Sequence, residues 1–321
     1  MTQSLIAPAS ATASLLECGP VALWRWCSPR SISPTPRFIR FLLDYIMGSF
    51  LVAGAAEVLV PAGMVHWMER NTATESQNEW KVLTQDHRLV VLASCSEIGD
   101  ILSRYPSYRA FCIPVPSGPL CSRLLFRCPI EVYYGDSIKK VMDMFKSMDA
   151  SSDVSWRAWM RSGLTCQFEG HYVPPIRVSE HAASLLSADG GCTQIILEEG
   201  TAGLTPRWLE TSLKTALSCG IPTSCLSLAL CDAVHSPKLM GKTLEVGVHH
   251  LCTSSLGQEF ALFDKSDALV SIDTASLLVS HLSEHNQVNL STAELDQLRD
   301  SAAFVKSARK QWHKETQMCI G

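Results

Sequence analysis

Apolar and polar positions along the chain fall into two periods, and the pattern is clearest between Cys192 and His285. Cys192 to Glu198 has a β-branched apolar centre that predicts a strand. Thr205 then stands where a capping side chain is needed, and Pro206 at the first helical position. Leu209, Leu213, Ala216 and Leu217 form one apolar stripe at helical spacing, and Gly220 with Pro222 supplies the stop. Ser224 to Cys231 alternates, with Leu226, Leu228 and Leu230 on one face and Cys225, Ser227, Ala229 and Cys231 on the other, as a strand does. Strand, helix and strand in so short a span predict a βαβ unit with parallel strands and a right-handed crossover. The short turns that separate Thr243 to Cys252, Glu259 to Asp264 and Ala268 to Ile272 predict an antiparallel meander beyond it.

Upstream the pattern is less regular. Phe38 to Leu59 predicts one buried helix, whose charge-free core Tyr45 to Ala56 is well short of the roughly 20 residues a membrane span needs. Asn71 to Glu79 is polar and reads as a linker, followed by paired strands at Trp80 to Leu83 and Arg88 to Ala93. Ser94 and Glu97 make a capping box ahead of Ile98, Ile101, Leu102 and Tyr105. Arg109 to Val115 and Arg123 to Tyr134 are strand-like, and Asp136 caps a helix carrying Ile138, Val141, Met142, Phe145 and Met148 on one face. Asp149 to Ser155 is the best boundary, Trp156 to Arg161 reads as a short helix, and Gly170 to Ile176 as an irregular connector.

The expected fold class is therefore α+β, with two mixed α/β lobes, largely antiparallel sheets, one βαβ unit, an apolar N-terminal region and a long C-terminal helix. The units run 1–70 (arm and apolar helix), 80–150 (first lobe), 151–190 (connector) and 191–321 (second lobe with the last helix). That helix starts at a Ser291/Glu294 capping box, and Leu295, Leu298, Ala302, Val305, Arg309 and Trp312 follow at alternating spacings of three and four. Leu298, Val305, Arg309 and Trp312 are the candidate interface, because aromatic and Arg anchors dominate many protein contacts.

Composition sharpens this picture. Of 321 residues only 18% are charged and 46% hydrophobic, with a net charge of -4, so an isolated monomer would have an unusually charge-poor surface. A protein partner or self-association would cover it, and no basic footprint indicates nucleic acid. Thirteen scattered cysteines, an odd number, predict reduced thiols in a cytoplasmic or nuclear setting rather than a disulfide framework. Residues 1–40 hold Arg25, Arg30, Arg37 and Arg40 against the single acid Glu17, the composition of an organelle-targeting segment or an extended arm.

Candidate chemistry is sparse. Gly241-Lys242-Thr243 resembles the end of a phosphate-binding loop, but Ser236 stands where the first Gly is required and Pro237 lies inside the loop. Cys231, His235, His250 and Cys252 have side chains that zinc prefers, on strand ends that could converge, and are the candidate metal ligands. A thiol nucleophile among Cys225, Cys231 and Cys252, with His235 or His249 as its base, is the corresponding catalytic arrangement. No cofactor other than zinc and no small-molecule substrate is indicated. The expected function is a non-catalytic interaction or structural subunit of a larger assembly, viral or organellar. The alternative is an enzyme of the thiol or zinc hydrolase class built on the Cys/His cluster.

Overall fold

The structure is a computed structural model that describes residues 14–21, 24, 36–51, 55–71, 74–85, 88–148, 154–187, 191–201, 203–230, 236–253, 300, 303–308 and 310–311. Eight parallel strands close into a barrel: β1 (Ser14–Glu17), β2 (Glu57–Pro61), β3 (Leu89–Leu92), β4 (Ala110–Pro116), β5 (Ser155–Arg161), β6 (Cys192–Glu198), β7 (Leu226–Ala229) and β8 (His250–Thr253). Each strand pairs with its neighbours in sequence, and β1 closes the ring against β8 through Leu16↔Cys252. Helices separate the strands: α1 (Pro36–Leu51), α2 (Ala62–Asn71), α3 (Thr74–Gln85), α4 (Cys95–Arg104), α5 (Lys139–Ser147), α6 (Pro175–Ser187), α7 (Pro206–Ser218) and α8 (Ser236–Glu245).

Two lobes with largely antiparallel sheets are therefore not what the chain forms. Strands assigned to both lobes lie side by side, and β4 and β5, on either side of the expected boundary, pair over their whole length. Among the described residues the only antiparallel pairing is a small hairpin of Thr165–Cys166 with Gly170–Tyr172. The physical reason is burial on both faces. In a barrel wrapped by helices each strand reads as an apolar run instead of an alternating one. Val58 and Leu59 thus fall within the helix expected over Phe38 to Leu59, whereas α1 ends at Leu51 and β2 begins at Glu57. Trp80 to Leu83 lies in α3, Arg123 to Tyr134 forms helical turns, and Trp156 to Arg161 is strand β5. The strand expected from Thr243 begins only at His250, since Thr243 belongs to α8; Glu259 to Asp264 and Ala268 to Ile272 lie outside the described residues.

Register fixes which residues face the barrel axis. Leu16, Glu57, Leu59, Val90, Cys112, Arg157, Trp159, Ile196, Glu198, Ala229 and Cys252 fall on one connected face. The opposite face carries Val58, Val60, Phe111, Ile113, Trp156, Met160, Leu197, Leu226 and Leu228, all buried beneath the helices. Helix α1 shows how the outer layer is made: Phe38, Phe41, Leu42, Tyr45 and Ile46 recur at helical spacing and are buried, while Leu51 is exposed. Near the C-terminus, residues 303–308 are helical, and the Phe304 ring stacks on Tyr45 of α1 at 6.1 Å between centroids. No helix among the described residues is long and apolar enough to cross a membrane.

Candidate active site

In parallel barrels of this kind the reacting groups stand at the C-terminal ends of the strands, where the βα loops meet. Here that end carries a buried ion pair. Arg161, the last residue of β5, donates from Nε to Glu198 Oε2 at 2.7 Å, and Glu198 is the last residue of β6. The same carboxylate oxygen accepts the Ser162 N–H at 2.8 Å. Ser162 reaches that position at φ 53°, a left-handed conformation uncommon for a residue with a side chain. Both charged side chains are almost fully buried, so the pairing is what makes their charges tolerable.

The loops after β5 and β6 are stitched together next to this pair. The Thr165 hydroxyl accepts the Thr201 N–H at 2.9 Å and lies against the carbonyls of Glu199 and Thr201. Gly200, at φ 79°, runs so close that a Cβ there would stand 2.2 Å from the Thr165 carbonyl oxygen. Only glycine fits. The loop after β4 is held in turn by Glu169, whose carboxylate accepts the Leu120 N–H at 2.5 Å and the Cys121 N–H at 2.9 Å and lies 3.3 Å from Arg177. A side chain at Gly118 would run into that carboxylate.

Two free thiols, Cys121 and Cys166, lie on these loops. Cys166 Sγ accepts the Phe168 N–H at 3.4 Å, and Cys121 Sγ lies 3.7 Å from the Arg161 carbonyl. A hydrogen bond from the Cys121 thiol lowers the pKa of Cys166, with the Phe168 and Glu169 N–H groups and the Ser162 hydroxyl acting in the same direction. The same contact, together with burial, pushes Cys121 up. Burial alone is the leading cause at Cys18 and Cys112, and both are raised.

A second ion pair lies deeper in the barrel. Arg157 grips Glu57 with both terminal nitrogens, the longer contact being 2.6 Å, and the bridge crosses from β5 to the non-adjacent β2. His250 sits beside this pair. Burial and the Arg157 charge lower its pKa.

Of the expected zinc ligands, His250 and Cys252 do share the inward face of β8, but Cys231 and His235 lie outside the described residues. The Arg157 guanidinium already occupies the neighbourhood of His250, and a cation there would be repelled by it. Cys252 is engaged with the Ser227 hydroxyl at 3.7 Å. Among the described residues, which leave out Cys231 and His235, no group of three or more His, Cys, Asp or Glu side chains could hold a metal ion. Cys225 lies in the turn that enters β7, at the end of the barrel opposite the site. Of the expected interface residues, Val305 is buried against Leu15 and Phe304 of the same chain, while Leu298, Arg309 and Trp312 lie outside the described residues.

The residues that do assemble, Arg161, Ser162, Glu198, Cys121 and Cys166, come from three separate loops and form no local motif. The one available signal was Glu198-Glu199-Gly200, an acidic pair and a glycine closing a strand-like run.

No family model matches the sequence, and no curated protein matches it either. Solved structures do match. An HMG-CoA lyase from Brucella melitensis superposes with a TM-score of 0.65 at 15% identity, covering 93% of this chain and 99% of its own. An HMG-CoA lyase from Acinetobacter baumannii, solved with coenzyme A and 3-methylmalate, gives 0.64 at 12% identity over 95% of this chain and 93% of that one. The carboxyl transferase domain of Rhizobium etli pyruvate carboxylase, with pyruvate and biocytin, gives 0.59 at 11% identity over 94% of this chain and 48% of that chain. The expected non-catalytic assembly subunit is corrected by this likeness, since the barrel is that of lyases and carboxyl transferases. Its low charge has another explanation: strands sealed on both faces demand more apolar residues than two half-exposed sheets would. At these identities the likeness establishes the fold alone, a closed parallel barrel.

Proposed function

We propose that the protein is an enzyme of the aldolase and lyase type, making or breaking a carbon–carbon bond in a small acyl compound at the C-terminal mouth of its barrel. A coenzyme A thioester with a carboxylate at its far end is the first candidate substrate. The observation carrying this reading is the likeness to HMG-CoA lyases over more than nine-tenths of the chain. The charged groups at the mouth suit the chemistry. Such reactions develop negative charge on a carbonyl oxygen, and a fixed guanidinium beside it lowers the barrier because it needs no reorganisation. In this role Arg161 carries the positive charge, and Glu198 acts as a positioning residue that holds the guanidinium through Nε while being held itself by the Ser162 N–H.

The test is release of acetyl-CoA from HMG-CoA and related thioesters by the full chain, followed by mass spectrometry with and without added divalent metal. Turnover that falls about 100-fold or more in Arg161→Lys, with an unchanged circular dichroism spectrum, is the expected result. No turnover, and no shift in melting temperature with any thioester or with coenzyme A itself, would overturn the reading.

A further inference from the structure

We propose that the loop after β4 is a membrane-docking surface, which seats the mouth of the barrel on a bilayer containing anionic phospholipid. The proposal goes beyond the lyase reading and stands without it.

Three observations set this loop apart. First, apolar exposure gathers there. Four of the seven large apolar side chains exposed among the described residues fall between Leu120 and Val132: Leu120 at 46%, Leu124 at 45%, Leu125 at 38% and Val132 at 42%. A fifth, Ile176, comes beside them, because its chain neighbour Arg177 lies 3.3 Å from the Glu169 carboxylate that accepts the Leu120 N–H. Single exposed leucines are ordinary, whereas a gathering of this kind marks a surface that is covered in use. Second, the leucines cannot turn inward, since the underside of the loop is already filled. Cys121 and Ser122 are buried, Phe126 packs edge-on against Tyr133 at 4.7 Å between centroids, and the Ser122 hydroxyl donates to the Cys128 carbonyl at 2.8 Å. The Tyr133 and Tyr134 hydroxyls tie the next turns to β4. Third, unpaired cations stand among the leucines. Arg123 lies within, and Arg127 ends, the helical run of Pro119–Cys121 and Ser122–Phe126, and both are exposed, as are Lys139 and Lys140 beyond it. None of the four has an ion-pair partner among the described residues. Against them residues 119–140 set only Glu131 and Asp136, in a chain whose net charge is -4.

This mixture assigns the occupant. A protein interface has an apolar centre inside a polar rim, whereas here arginine and leucine are interleaved within about two helical turns. Interleaving is what the face of a bilayer accepts: leucines enter the acyl boundary, and guanidiniums bond the lipid phosphates while their stems lie along the apolar surface. A second copy of this chain fits poorly, because a two-fold contact here would set one cationic patch against another. A neutral bilayer would leave the cations without counter-charges, so the surface that matches is one carrying anionic headgroups such as phosphatidylserine. The loop leaves the C-terminal end of β4, and docking through it therefore turns the mouth, with Arg161 and Glu198, toward the lipid.

The test sediments the full chain with vesicles of phosphatidylcholine, alone or with roughly a third phosphatidylserine. The expected result is co-sedimentation with the anionic vesicles only, weakening as added salt screens the cations. Arg123→Gln combined with Arg127→Asn, an asparagine suiting the φ of 61° at that position, should weaken binding about fivefold per arginine. Leu124→Ser combined with Leu125→Ser should weaken it by about tenfold or more. All four side chains are exposed, so each variant should keep its melting temperature, and if one melts early the other decides. No sedimentation with the anionic vesicles, equal binding to both kinds, or full binding by a folded variant would overturn the proposal. So would a dimer of the unsubstituted chain in analytical ultracentrifugation that the leucine variant returns to monomer, since the patch would then belong to a second copy.

Discussion

Arg157 and Arg161 stand four residues apart on β5, share its inward face and both enter ion pairs, one partly and one almost fully buried, yet the two pairs are built differently. Arg157 reaches across the barrel to Glu57 on a non-adjacent strand and grips it with both terminal nitrogens. Arg161 bonds the next strand through Nε, and its carboxylate partner also accepts a main-chain N–H from a strained residue. The first pair fills the middle of the barrel and ties two walls together. The second lies where three loops converge, next to the thiols. Same strand, same residue type and same face therefore serve packing in one layer and, in the function proposed above, chemistry in the layer above it.

The largest effect that would break this comparison is expected at the lower pair. Arg157→Met leaves Glu57 in the barrel without its guanidinium, and removing one partner of a buried pair typically costs about 3–5 kcal/mol. The urea midpoint should fall accordingly, and Glu57→Leu added to Arg157→Met should restore much of the loss, since an apolar pair of similar volume is often neutral. A midpoint unchanged in the single variant would mean that water already reaches this layer, and the contrast between the two regions would fail.

The two arginines also show why the fold was only partly legible in the sequence. A spacing of four is even, so it keeps side chains on one face of a strand, and it is also close to one helical turn. Trp156 to Arg161 thus satisfied both periods and was assigned to a helix. Val58 to Val60 lacks any polar face to betray a strand, because helices cover its outer side and the barrel core its inner side, whereas the strand expected at Arg88 to Ala93 does form, as Leu89–Leu92. Pro114 and Pro116 sit in β4 against the usual exclusion of proline from inner strands, with the hydroxyls of Tyr133 and Tyr134 bonding their carbonyls at 2.5 and 2.9 Å. Where a local cap, stripe and stop coincide, as in α7, the pattern sufficed: the Thr205 hydroxyl accepts the Trp208 N–H as its position predicts, and β6 and β7 on either side pair in parallel. The site had no such local signature. Arg161 meets Glu198 only because the barrel brings strand ends together.

A smaller effect separates the pairs by function. Glu198→Gln keeps an acceptor for Ser162 and Arg161 but removes the charge, and Glu57→Gln does the same at the lower pair. Each should lower stability by about 1.5–3 kcal/mol, the range for hydrogen bonds to charged groups. Turnover should divide them. With Glu198→Gln the guanidinium is no longer held as firmly in position, and kcat of the proposed reaction should fall about 100-fold. With Glu57→Gln, kcat measured well below its melting temperature should stay within about twofold, since the pair touches no loop of the mouth. Equal losses in the two variants would place both arginines in one coupled network.

The smallest effect is a pH dependence anchored in the lower layer. His250 starts β8 beside Arg157, Glu57 and His249; burial and the Arg157 charge hold it below the usual imidazole value, while Glu57 opposes them. His181 on α6, half-buried and near Arg177, is shifted the same way. On acidification the unfolded chain takes up protons at these histidines before the folded chain does, so stability falls as the pH drops through and below about 6.5. At the alkaline end the sign is reversed in origin and equal in consequence. The Cys18 and Cys112 thiols are raised by burial, the unfolded chain loses those protons first near pH 8.5–9, and stability falls as the pH rises. The melting temperature should therefore form a plateau between about pH 6.5 and 8.5. Each histidine contributes less than about 1.4 kcal/mol per pH unit on the acid side. His250→Asn should shallow the acid limb and leave the alkaline limb alone. If the acid limb keeps its slope in that variant, the imidazole beside Arg157 is not what the lower layer excludes from protonation.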